Sequence, residues 1–192
     1  MKALISALVL SLSLTTFAAT DLCSINYAPE GSTLSWTAFK TPKKVGVKGQ
    51  FNVFKIISTK SASIDELLSN ATFEVDTKSI STNDKARDAK IFQFFFKNMV
   101  KGSTISGKVL KVGPTSVDVE FSLNGATKII TLAKAYDESK NTVALNGEMN
   151  VLDFNMKGNL DTLTKACNTL HEGVTWPDVK IELIASVPKT CK

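Results

Sequence analysis

Apolar and polar side chains alternate along this chain with a period of two, in one short segment after another. Leu34, Trp36 and Ala38 alternate with Thr33, Ser35 and Thr37; Val45, Val47, Gly49, Phe51 and Val53 alternate with Gly46, Lys48, Gln50 and Asn52. The same rhythm sets Ala71, Phe73 and Val75 against Thr72, Glu74 and Asp76, and Val117, Val119, Phe121 and Leu123 against Asp118, Glu120 and Ser122. It returns at Val143, Leu145, Gly147 and Met149, and again at Val179, Ile181, Leu183 and Ala185. Successive side chains of a strand point to opposite faces, so each run predicts a strand with one buried and one solvated face. Two noisier runs, 103 to 112 and 127 to 135, bring the strands to eight. Gly113-Pro114 and Asn124-Gly125 are turn signals, and with the polar loop 137 to 141 they join the four strands between 103 and 150 into a meander.

Three short helices interrupt the strands. Ser63 and Glu66 have capping-box spacing ahead of Leu67-Leu68; a second helix covers 83 to 96; a third runs from about 159 to 171, with Asp161 and Thr162 near its start and Gly173 after its end. Eight antiparallel strands left open would expose two unpaired edges, which closure removes. The predicted fold is therefore all-β, an eight-stranded antiparallel barrel with two or three short helices. Such a barrel has room for either side chains or one small ligand, and periodicity does not choose between them. What periodicity does name is the inward set: Trp36, Phe51, Phe73, Val75, Val119, Phe121, Leu145, Met149, Ile181 and Leu183.

The start of the chain reads as an address. Lys2, an apolar run from Ala3 to Leu14 and small residues through Ala19 predict a secretory signal peptide over residues 1 to about 20, leaving one domain over 21 to 192 in the periplasm or outside the cell. Asp21-Leu22 stand where small residues would precede a lipidated Cys23, so the exported form is expected without a lipid anchor. Three cysteines give one disulfide and one free thiol. Cys167 lies among Leu160, Leu163 and Leu170 at helical spacing and reads as a core thiol, whereas Cys23 and Cys191 flank the domain. The first and last strands of an up-and-down barrel pair antiparallel, so the approach to one and the exit of the other share an end, and a Cys23 to Cys191 bridge is predicted.

Charge and motif content exclude more than they assign. The formal net charge is +5, but the lysines are scattered and no dense basic run with interleaved aromatics appears, which argues against nucleic acid and leaves at most a transient contact with an anionic membrane surface. No nucleophile elbow, phosphate loop, His-Glu-x-x-His or paired Cys/His set occurs, and the single histidine, His171, sits near a helix end. An enzyme, a metal site and a resident cofactor are therefore not expected.

One segment carries more specific wording. Ser79-Ile80-Ser81-Thr82 leads to Arg87-Asp88, then Ile91, Phe92 and Phe94-Phe95-Phe96; Val47-Lys48-Gly49-Gln50-Phe51 before it, and Leu123-Asn124-Gly125-Ala126-Thr127-Lys128 and Asp153-Phe154 after it, complete the pattern in order. In these pieces the chain resembles the YceI-like family of lipocalin-like barrels that bind isoprenoid or other long-chain lipids. It departs from the common pattern in placing the Phe pair about one residue closer to Arg87-Asp88, with Phe where an acidic residue often stands. The resemblance implies an elongated barrel, often a homodimer, whose inward set encloses an isoprenoid, a quinone-like lipid or a fatty-acid derivative for transport, storage or sequestration. Phe92, Phe95 and Phe96 would line or plug the cavity. Arg87 and Asp88 would meet a lipid head group at its mouth, or else Arg87 pairs locally with a carboxylate such as Asp84 and fixes the helix on the barrel. The rival readings are an enzyme acting on a bound lipid on the same scaffold and a ligand-free interaction module of the cell envelope.

Overall fold

The structure, a computed structural model, describes residues 23 to 100 and 102 to 191. The expected signal peptide lies outside the described residues. In chain order the elements are β1 (Cys23–Ile25), β2 (Ala28–Lys40), β3 (Val45–Phe51), β4 (Phe54–Ile57), α1 (Ile64–Ser69), β5 (Thr72–Asp76), β6 (Ile80–Ser81), α2 (Lys85–Ile91), β7 (Thr104–Val112), β8 (Ser116–Leu123), β9 (Ala126–Asp137), β10 (Thr142–Asn150), α3 (Lys157–Ala166), α4 (Asn168–His171), β11 (Thr175–Ser186) and β12 (Lys189–Cys191).

Ten of the strands form one curled antiparallel sheet in the order β4-β5-β7-β8-β9-β10-β11-β2-β3-β6, and β1 pairs with β12 apart from it. The count of eight is thus corrected to ten. Each of the eight predicted runs is a strand, and β4 and β6 are added because two of the runs are interrupted. Asn52 and Val53 leave the ladder between β3 and β4, where Ser79 Oγ accepts from Val53 N (2.9 Å), and the 3₁₀ turn Thr77–Ser79 separates β5 from β6. Hydrogen bonds from Asn52 N to Ser79 O and from Asp76 N to Val53 O, both 3.1 Å, carry the pairing past the break. The terminal strands of the sheet, β4 and β6, are therefore continuations of β3 and β5, and the sheet curls back on its own chain.

The helices sit at opposite ends of this curl. At the start of β5 is α1, whose N-cap Ser63 accepts from Glu66 N (3.2 Å) while the Glu66 carboxylate accepts from Ala62 N (3.1 Å), one residue earlier than in an ideal capping box. Beyond β6 lies α2, capped by Asp84, and it passes directly into a π turn over Phe92–Phe96. The predicted third helix begins earlier than expected, at Lys157, and is broken at Cys167 into α3 and α4. Asp161 is inside it, paired with Lys157 one turn back (2.6 Å), and Gly173 ends it at φ +76°, a conformation that favours glycine. Phe154 and Met156 are fully buried near that end. Asn124, at φ +51° in the β8–β9 turn, anchors them: its side chain donates to Phe154 O (3.0 Å) and accepts from Val100 N (2.7 Å).

Candidate functional site

The curl of the sheet encloses a cavity of about 220 Å³, walled by the inward faces of β2 to β5 and β7 to β11. At about 10 to 15 Å³ for each water-sized sphere, that is room for on the order of fifteen atoms in a chain. The alternation that makes the strands also makes this wall. On β8, Val117, Val119, Phe121 and Leu123 are all buried while the residues between them are not, because one face of the strand meets the interior and the other meets water. Leu34, Phe73, Ile105, Val109, Ile181 and Leu183 face inward too, yet keep part of their surface accessible. These side chains border the cavity.

Nothing charged faces the space. The wall contains no Asp, Glu, Lys, Arg or His, and its polar groups are confined to Tyr27, Ser35, Ser58, Thr72, Thr175 and the two tryptophans. Apolar side chains stand at both ends. Leu67 and Leu68 of α1 cover one end; Phe95 and Phe96 of the π turn, with Leu160 and Leu163 of α3, cover the other. Near the second end Trp176 is fastened by a hydrogen bond from its Nε1 to Thr41 O (2.8 Å), and Thr175 Oγ1 is shared between Thr164 Oγ1 and His171 Nδ1, each at 2.7 Å. Burial, and after it the charge of Lys40, hold His171 below its ordinary pKa, so the neutral imidazole takes part in that chain.

The wall includes Trp36, Phe51, Phe73, Val75, Phe95, Phe96, Val119, Phe121, Leu145, Met149, Ile181 and Leu183, all expected on sequence grounds. Three expected residues stand outside it. Arg87 donates from Nε to Thr82 Oγ1 (2.8 Å) and from Nη2 to Thr82 O (2.9 Å), and Asp88 Oδ1 accepts from Thr82 N (2.8 Å) and Thr82 Oγ1 (2.5 Å). The dyad is thus directed at its own turn rather than at the lumen, and clasps α2 to the end of β6. Phe92 is displaced by the π turn. In such a turn residues four and five apart share a face, so Phe95 and Phe96 both follow Ile91 onto the cavity wall, while Phe92 packs against the core outside it. The end-covering leucines of α1 and α3 were missed as wall residues although their helical spacing was visible; nothing in a helix's periodicity says which opening it covers.

Replacing Arg87 by Leu is expected to remove the clasp and lower the melting temperature by about 5 °C, on the scale of a lost charge-assisted hydrogen bond. Affinities for a phosphorylated and an unphosphorylated prenyl alcohol should then change by the same factor. A selective loss of the phosphorylated ligand would return Arg87 to a head-group role.

The YceI-like domain model matches residues 26–186 of this chain. Among solved structures, a polyisoprenoid-binding domain from Saccharophagus degradans, described as implicated in plant cell wall breakdown, superposes with a TM-score of 0.60 at 14% identity, covering 90% of this chain and 100% of that one. BcnA of Burkholderia cenocepacia superposes with a TM-score of 0.61 at 15% identity, over 85% of this chain and 99% of its own. At these identities the likeness is one of fold. No curated protein matches the chain in sequence.

Proposed function

We propose that this chain, which belongs to the YceI-like domain family, is an exported protein that encloses the apolar chain of a long lipid in its lumen, for transport, storage or sequestration. The observation that carries this reading is a hollow interior whose wall bears no charge. Desolvating an unpaired phosphate or carboxylate there would be prohibitive, so the occupant is a hydrocarbon chain of isoprenoid, quinone-like or fatty-acid type, and any ionised head stays outside. A chain gains about 0.8 kcal/mol per buried methylene, so ten carbons contribute about 8 kcal/mol against an association cost of about 4 to 15. Short chains fall below that threshold and long ones exceed it. The polyisoprenoid named for the Saccharophagus domain is a ligand of this chemistry.

Export is supported by the Cys23 to Cys191 disulfide, a bond of oxidising compartments. None of the described helices is long and apolar enough to cross a membrane. The wall's few polar groups are hydroxyls and indole N–H groups, a lining suited to enclosing a hydrocarbon chain. Mass spectrometry of solvent extracts from the purified protein should find a co-purifying lipid with a long apolar chain. Titration with alcohols of rising chain length should show affinity climbing about fourfold per methylene before it levels off. Clean extracts together with no binding across the whole ladder would end the carrier reading.

A further inference from the structure

Three inward-facing strand positions carry no side chain: Gly49 in β3, Gly107 in β7 and Gly147 in β10. None lies in the positive-φ region that would by itself call for glycine. Each is instead occupied by a neighbour's large side chain lying across it. A Cβ built on Gly49 would fall 2.3 Å from Cζ2, 2.7 Å from Cε2 and 2.9 Å from Cη2 of Trp36, its partner in the β2–β3 ladder. On Gly107 it would meet Phe73 Cζ at 2.5 Å, and on Gly147 it would meet Leu132 Cδ2 at 2.3 Å. Gly107 has a second reason to be glycine, since the Glu120 carbonyl oxygen lies 2.1 Å from the same point; Leu132 can swing its methyl away from Gly147. At Gly49 the three nearest atoms all belong to the indole.

We propose that Gly49 is a specificity-determining residue: by giving the Trp36 indole a bed on the wall it sets the bore of the lumen, and with it the thickness of lipid chain admitted. The inference rests on the carrier reading above. Trp36 is buried, but its Nε1 has no hydrogen-bond partner, in contrast to the anchored Trp176, so packing alone holds the ring flat. Phe51 bounds the ring with its centroid 6.5 Å away, and the strand backbone bounds it from behind. A methyl group at Gly49 leaves one direction open to the indole, into the lumen. A methyl-branched chain needs the lost width more than a straight one.

The test uses the full domain and two ligands of equal length, a methyl-branched prenyl alcohol and a straight-chain alcohol. If the indole displaces two methylene-sized segments, at about fourfold each, Gly49→Ala should weaken the branched alcohol about tenfold or more and the straight one by less, with circular dichroism unchanged. Adding Trp36→Leu should bring the branched alcohol back to within about threefold of Trp36→Leu alone, because the two residues act through one contact. If Gly49→Ala does not fold, Trp36→Leu by itself reads the same bore and should tighten the branched alcohol selectively. Wild-type affinity in Gly49→Ala, a loss that Trp36→Leu fails to rescue, or a Trp36→Leu protein with no gain for the branched chain overturns the assignment. A wild-type protein that binds neither alcohol overturns the carrier reading, and the bore assignment falls with it.

Discussion

Leu183→Trp should abolish lipid binding, by about a hundredfold or more, while leaving the ligand-free protein as stable as before. Leu183 projects from β11 into the lumen between Leu34 of β2 and Leu145 of β10, and keeps accessible surface there. An indole at this position occupies the path of the chain, and each methylene it displaces removes about 0.8 kcal/mol. In an interior already filled by its own side chains the same substitution would be overpacking, which costs about 1 to 3 kcal/mol and lowers the melting temperature by about 2 to 4 °C per kcal/mol in a domain of this size. The two interiors that the strand pattern leaves open thus give opposite results. Wild-type protein with ligand at a hundred times its Kd should gain about 2.7 kcal/mol and melt visibly higher, and Leu183→Trp should show no such gain. A destabilised variant that still responds to ligand would mean the cavity lies elsewhere.

Twelve of the fifteen residues expected at the lipid site line the lumen, and the reason is the period of two. Once Trp36, Phe121 or Ile181 is assigned to a strand, its face follows from parity without knowledge of its partners. The residues that stand outside the lumen are those whose placement depends on something other than parity. Phe92 was named with Phe95 and Phe96 because a helix turns about half of an aromatic run inward; the π turn decides which half, and no local signal marks it. Arg87 and Asp88 were legible as a charged pair at a helix start, but not that Thr82, with one hydroxyl, one amide and one carbonyl, would engage both. The two added strands were hidden for a related reason: the alternation runs through Asn52 and Val53 unbroken, while Ser79, far along the sequence, takes the Val53 amide out of the ladder. Gly49 and Gly147 were visible on the inward parity as gaps. Only the register, which sets Trp36 against Gly49, turns a gap into a bed.

Removing the disulfide should produce the largest loss of stability of any change away from the interior. Cys23 and Cys191 are 168 residues apart in sequence and register partners in the β1–β12 ladder, so the bond closes almost the whole domain into one loop. By chain entropy, a crosslink over that length stabilises the fold by roughly 5 kcal/mol, worth roughly 10 to 20 °C in melting temperature. The bond also holds a local clip. Ile25 is buried, and it exchanges backbone hydrogen bonds with Ser61 just ahead of α1, from Ile25 N to Ser61 O (2.8 Å) and from Ser61 N to Ile25 O (3.0 Å). Cutting the bond should therefore loosen the α1 end, which Leu67 and Leu68 close, before the sheet. The measurement is a thermal melt of the Cys23→Ser/Cys191→Ser protein beside the wild type with and without reductant, with hydrogen exchange at Ile25 and Ser61 as the local readout. Cys167 is free and buried, so Cys167→Ala serves as the control and should leave the reductant response intact. A melt that reductant shifts only while Cys167 is present would mean that Cys167 takes part in the crosslink, and the closure of the domain would have to be redrawn around a different pair.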